Sequence, residues 1–185
     1  PLAGSAPRVL DDASADRAAA KNLFESTKDL VEHAFVVDHI RSVLGPLCSS
    51  LTVPERPIVD KTNEMWHLAT PITGVLKDPA PSALDLAERL YPTPAVCGTP
   101  TEAAKALICT AETDLSFYAG AVGYTEANGD GEYMVAIRCA EVSGDGTTAR
   151  AWAGGGLVAD SDPQAELDET TAKLRTIMRA LGLSL

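Results

Sequence analysis

A run of three glycines, Gly154 to Gly156, followed within a few residues by Asp162-Pro163 and a helical pattern, constrains this chain more than any other feature. Glycine runs are unfavourable inside helices and strands, whereas Asp followed by Pro supplies an N-cap and a first helical position. The pattern predicts a loop and then a helix from about Pro163 to Leu181, ended by Gly182. On that helix Glu166, Glu169 and Lys173 fall within roughly 60° of one another at about 100° per residue. They border an apolar stripe of Leu167, Thr171, Leu174, Met178 and Leu181, predicted to be the core face. Acids and a lysine beside a bare-backbone loop can hold an anion and a divalent cation together. The same spacing also suits a solvated Glu169 to Lys173 pair worth about 0.3–0.5 kcal/mol, and periodicity alone does not choose between the two.

A second acidic helix lies far upstream. Ser26-Thr27-Lys28-Asp29 has the form of a capping box, predicting a helix to about Cys48. Leu30, Ala34, Val37 and Leu44 make one apolar row, and Val36, Ile40, Val43 and Leu47 a second beside it. Asp29 and Glu32 project over the second row, where an unpartnered carboxylate costs several kcal/mol, so a cation or arginine is expected nearby. First-turn acids are also favoured by the helix dipole alone.

The rest of the chain reads as mixed α and β. Pro1 to Arg8, with Gly4 and Ser5, form a small-residue segment that enters a helical stretch near Asp16. Between Thr52 and Leu76 the prolines divide a short strand from a second around Trp66 to Ala69, which carries His67, a residue open to a structural or a chemical role. Ser82 to Leu90 is a short helix, and Tyr91-Pro92-Thr93-Pro94 must be extended or turning. Thr99-Pro100-Thr101-Glu102 reads as another capping box, with proline at the first helical position of a helix to about Glu112. Strands at Gly120 to Thr125, Glu132 to Val142 and Ala149 to Ala153, joined by Gly-Asp turns, predict an antiparallel meander. Arg138 lies inside the middle strand and should meet a carboxylate, from the protein or from a ligand. The fold class is therefore α+β, an antiparallel sheet with helices packed outside it.

Length and charge narrow the function. The 185 residues fit one domain with a sizeable core, yet the chain begins without methionine, so a larger protein is expected. Fifteen basic against twenty-six acidic residues argue against nucleic acid or an anionic membrane surface as partner. No apolar run approaches the 18 or so residues of a membrane span. Cys48, Cys97, Cys109 and Cys139 lack paired spacing and read as reduced, mostly buried thiols in a cytoplasmic protein, and no zinc site is expected. Asp29, Glu32, Glu166 and Glu169 could together serve a hard cation such as magnesium, with Arg138, Lys173 and glycine-loop amides for anionic groups. No pair suited to general acid/base work stands out.

Seven segments in order carry a resemblance: PLAGSAPR at Pro1, KDLVEHAFVVD at Lys28, WHLATP at Trp66, YPTPAVCGTP at Tyr91, FYAGAVGY at Phe117, GEYMVAIRCAEV at Gly131 and AGGGLVADSDPQAELDETTAKL at Ala153. Across essentially the whole chain they resemble the C-terminal half of a chorismate-utilizing enzyme, most closely the isochorismate synthases of siderophore or menaquinone biosynthesis. The resemblance implies the anthranilate synthase component I-like fold, of which residues 1–185 would be the C-terminal portion of one catalytic domain, exposing an apolar surface for the N-terminal portion. It implies magnesium ligated by Glu32 and Glu169, with Asp29 and Glu166 behind them. Lys173, Arg138 and the amides of Gly154 and Gly156 would surround the substrate's carboxylates; Tyr118, His67, Gly4, Ser5, Ala95 and Val96 would line the cavity. In the family, water adds at C2 of chorismate as the C4 hydroxyl leaves; a lysine base and a glutamic acid act from blocks N-terminal to PLAGS, so this chain alone is expected to be inactive. Gly155 stands where alanine is usual and Tyr91 where histidine is common. Salicylate synthase, which makes the same intermediate and then eliminates pyruvate, is the nearest alternative, and a noncatalytic chorismate- or magnesium-binding fragment is another.

Overall fold

The computed structural model describes residues 1–113 and 115–183. The chain opens with strand β1 (Leu2–Pro7), helix α1 (Ala13–Glu25) and helix α2 (Thr27–Leu44). After one 3-10 turn come strands β2 (Cys48–Thr52), β3 (Ile58–Lys61), β4 (Met65–Ala69) and β5 (Thr73–Leu76). Helices α3 (Ala83–Leu90) and α4 (Thr101–Ala111) precede two hairpins, β6 (Ala121–Thr125) with β7 (Gly131–Val135) and β8 (Ala140–Val142) with β9 (Ala149–Ala151). Helix α5 (Pro163–Ala180) ends the fold. All pairings are antiparallel, so the architecture is α+β as the pattern predicts.

The sheet that positions the site has the order β1, β4, β3. Its middle strand carries Met65 and Leu68, both fully buried, and α1 and α2 cover it with Leu23, Val36 and Val37. His33 on α2 is buried between β1 and β4: its Nδ1 lies 3.0 Å from the Ala3 carbonyl and its Nε2 2.7 Å from the Thr70 hydroxyl. A carbonyl only accepts, so Nδ1 carries the proton and Nε2 accepts from Thr70. Asp16 ties α1 to the same sheet, pairing with Arg8 at 2.8 Å and accepting from the Trp66 indole at 2.9 Å. None of the described helices is long and apolar enough to cross a membrane.

Capping explains most helix starts. The Asp162 carboxylate accepts from the Ala165 amide at 2.9 Å, Ser26 Oγ accepts from the Asp29 amide, and Ser82 with Asp85 forms a reciprocal capping box. The box expected at Thr99 does not form: Pro100 itself is the N-cap of α4 and makes no side-chain cap. Helix α2 stops at Leu44, before the predicted Cys48, because Gly45-Pro46 turns the chain and Cys48 begins β2.

Three further expectations change. The long strand predicted from Glu132 to Val142 is broken after Val135, because Arg138 adopts a left-handed backbone (φ 55°) that a β ladder cannot accommodate. The meander is thus two separate hairpins, and Arg138 sits in the break, outside any strand. On α5 the predicted core stripe is only partly covered: Leu167 is 58% exposed, Thr171 and Leu181 are exposed and Leu174 and Met178 half-buried, whereas the buried residues are Glu166 and Ala172. Of the cysteines only Cys48 is buried; Cys97 and Cys139 are half-buried and Cys109 is exposed, all as free thiols.

Candidate metal and carboxylate site

Three pieces of chain converge: β1, the first turns of α2, and α5 with the glycine loop before it. Gly4 lets β1 approach α2, for it has φ +78° and a Cβ there would stand 3.1 Å from the Asp29 Cβ and 3.3 Å from the Leu68 Cδ1. Its neighbour Ser5 donates to Glu169 Oε1 at 2.7 Å, joining β1 to α5. Gly156 brings the loop onto Glu32, whose Oε1 would lie only 2.7 Å from a Cβ at that position. A side chain there would displace the carboxylate.

Two lysines thread the acids together. Lys173 Nζ lies 2.6 Å from Glu169 Oε1 and donates to the Gly154 carbonyl at 3.0 Å. The pair expected from helix spacing therefore forms, but with both side chains largely covered (13% and 16% exposed) rather than solvated. Lys28, which the sequence reading passed over, lies 2.6 Å from Glu166 Oε1, and Ser161 donates to the same oxygen at 2.7 Å. Glu166 is 8% exposed and its Oε2 is buried with no hydrogen-bond partner. Among the described residues no three acidic, imidazole or thiol groups form a ready-made metal cage, and Lys28 and Lys173 each pair with one of the carboxylates.

The electrostatics of these groups are mutually consistent. Burial, reinforced by the nearby Glu169 charge, holds the Glu32 carboxyl above its ordinary range. Burial pushes Glu166 the same way, but the Lys28 and Ser161 hydrogen bonds outweigh it and leave the carboxyl below its usual range. Burial, with Arg138 and Lys173 nearby, lowers His67 on β4 to about 4, so this buried imidazole is neutral at pH 7. Burial also lowers Arg138, which has no ion pair with a described residue although Tyr118 and Glu169 lie within electrostatic range. Of the two sources of a carboxylate for Arg138, the described residues therefore provide none in direct contact. Tyr118 stacks on Trp152 with ring centroids 6.1 Å apart, and its hydroxyl would be 3.4 Å from a Cβ at Gly154.

The structure thus gathers Gly4, Ser5, Asp29, Glu32, Glu166, Glu169, Lys173, Gly154 and Gly156, with His67, Arg138 and Tyr118 around them. Ala95 and Val96 lie in the turn between α3 and α4, where the Val96 amide donates to the Thr93 carbonyl. No hydrogen bond or ion pair among the described residues joins that turn to the acids. Lys28 had a signal, being a cation in the first turn of a helix, where the dipole disfavours it. Ser161 and Trp152 had none at the level of spacing.

Residues 1–182 match the family model described as chorismate binding enzyme. The chain belongs to the chorismate-binding enzymes. It is 50% identical over 184 residues to the isochorismate synthase DhbC of Bacillus subtilis, an alignment covering 99% of this chain and 46% of that protein. The solved structure of a protein described as a DhbC isochorismate synthase from Bacillus anthracis superposes with a TM-score of 0.94 at 50% identity, covering 100% of this chain and 49% of that one. Anthranilate synthase component I of Streptococcus pneumoniae shares the fold at a TM-score of 0.71 and 28% identity, covering 94% of this chain and 42% of its own. The chain therefore spans about half the length of the relatives it matches.

Proposed function

We propose that this chain forms the cation- and carboxylate-binding side of a magnesium-dependent isochorismate synthase, which converts chorismate to isochorismate. The observation that carries the reading is the convergence of Glu32, Glu166 and Glu169 on a glycine loop flanked by cations. Counting Asp29, four carboxylates face two ammonium groups, a formal excess of two negative charges that one divalent cation would match. The buried, unpartnered Glu166 Oε2 and the elevated Glu32 carboxyl are further signs of acids awaiting a counterion.

Magnesium takes one or two carboxylates directly and keeps waters and substrate oxygens in its other positions, so a complete protein cage is not required. Glu32 and Glu169 would hold it, with Asp29 and Glu166 bonding its waters; when bound it supplies positive charge for a substrate carboxylate and orients that group. Arg138, unpaired among the described residues and half-buried, suits a carboxylate, and Lys173 adds a second positive charge. The amides of Gly154 and Gly156 can donate to anionic oxygens, and Tyr118 and neutral His67 bound the cavity without adding charge. In the reaction water adds at C2 and the C4 hydroxyl departs as water after protonation. The base and acid for those proton transfers are expected outside these 185 residues, in the other half of the relatives' length. That half is the partner this chain would pack against.

The test is conversion of chorismate by the protein joined to that other half, with and without magnesium. Isochorismate as sole product is expected, whereas release of salicylate without a second enzyme would identify a salicylate synthase. Glu169→Gln should abolish magnesium-dependent turnover while leaving the circular dichroism spectrum intact. Unchanged turnover would remove Glu169 from the site.

A further inference from the structure

Lys28 enters the reading above only as one of two positive charges, yet it makes the contact that fixes Glu166. Its ammonium group stands in the first turn of α2, the positive end of the helix, where a cation is locally unfavourable. It is nonetheless largely covered and lies 2.6 Å from Glu166 Oε1, on an oxygen that already accepts from Ser161. The other oxygen of Glu166 is buried and unpartnered, in a residue only 8% exposed. Lys28 thus neutralises one end of a carboxylate whose other oxygen is buried against the glycine loop, 3.2 Å from where a Cβ at Gly155 would stand.

We propose that Lys28 sets the cation affinity of the acid cluster: its ammonium group is a built-in counterion of Glu166, against which a divalent cation must bind. The proposal rests on the reading that this cluster takes a divalent cation. With Lys28 in place the formal excess is two negative charges; without it the excess is three and Glu166 has only Ser161. Removing Lys28 should therefore weaken the cation-free fold and strengthen the cation-bound one. A residue that merely oriented Glu166 for a metal would do the reverse to affinity. A lysine that only packed would lower stability with and without the cation alike.

Magnesium and manganese would be titrated calorimetrically, without chorismate, into the protein and into Lys28→Met, Lys28→Gln and Lys28→Arg. Melting temperatures would be taken in chelator and in magnesium. The Met and Gln variants should bind at least about fivefold more tightly, the low end of usual coupling between interacting sites. They should melt lower in chelator and gain more from magnesium than the parent does. Lys28→Arg should keep the parental affinity. Equal or weaker binding by folded Met and Gln variants would overturn the role of Lys28 alone, and so would variants that stay unfolded even in magnesium. A parent protein that binds neither cation would overturn the metal reading and this proposal with it.

Discussion

His67 shows what burial beside two cations does to a single side chain. It lies on β4, 9% exposed, within electrostatic range of Arg138 and Lys173 and also of Asp60 and Glu169. Its folded value of about 4 lies below the ordinary 6.5. Above pH 6.5 both folded and unfolded chains hold it neutral, so it contributes no slope there. As pH falls from 6.5 to about 4 the unfolded chain takes up a proton that the folded one refuses, and stability is lost across that window. Denaturant melts at a series of pH values should show this loss, at most of order 3 kcal/mol, and His67→Gln should flatten it. An unchanged slope in the variant would mean that other groups carry it. Residue identity was legible where chemistry is local: Glu32, Glu169, Lys173 and Arg138 were all identifiable from their spacing or their apolar neighbours. Lys28 was less so, because what stabilises it is a partner on a helix far away in sequence.

At the scale of elements, the loop and cap signals around α5 carried through, while the polarity of its faces did not. Periodicity gives Leu167, Thr171, Leu174, Met178 and Leu181 as the buried stripe, since apolar residues ordinarily face a core. In the structure Leu167, Thr171 and Leu181 are exposed, Leu174 and Met178 are half-buried, and the covered face includes Glu166, Glu169 and Lys173. The inversion has a physical reason: each acid is matched by an ammonium group or a hydroxyl, so the charged face can be covered. A sequence pattern does not display such matching between distant segments. The start of α5 is independent of that question. Asp162→Ala should lower stability by about 1 kcal/mol through loss of the cap to the Ala165 amide, read as a shift in urea midpoint at unchanged slope. A variant as stable as the parent would show that the Asp162 cap contributes nothing. The broken strand at Arg138 was also invisible beforehand, because Ile137, Arg138 and Cys139 give no turn signal and only the backbone reports the left-handed residue.

Across the whole molecule, the fold class and the order of segments were legible because capping residues, prolines and Gly-Asp turns punctuate the chain. How much surface would remain open was expected from the family resemblance rather than from any pattern. Val122, Tyr124 and Met134 lie on the β6–β7 hairpin, where Val122 and Met134 are directly opposite, and all three are more than half exposed. The outward stripe of α5 adds Leu167 and Leu181. Apolar surface of this extent favours association, so light scattering of the 185-residue chain alone should report oligomers or poor solubility. A stable monomer at high concentration would contradict that expectation. Gly4 has only a hydrogen where other residues carry a branch, and the seating of α2 against the sheet depends on it. On the proposed cation-binding reading, ion affinity should therefore report on backbone packing as much as on carboxylates, and a substitution at that one hydrogen would masquerade as a lost ligand.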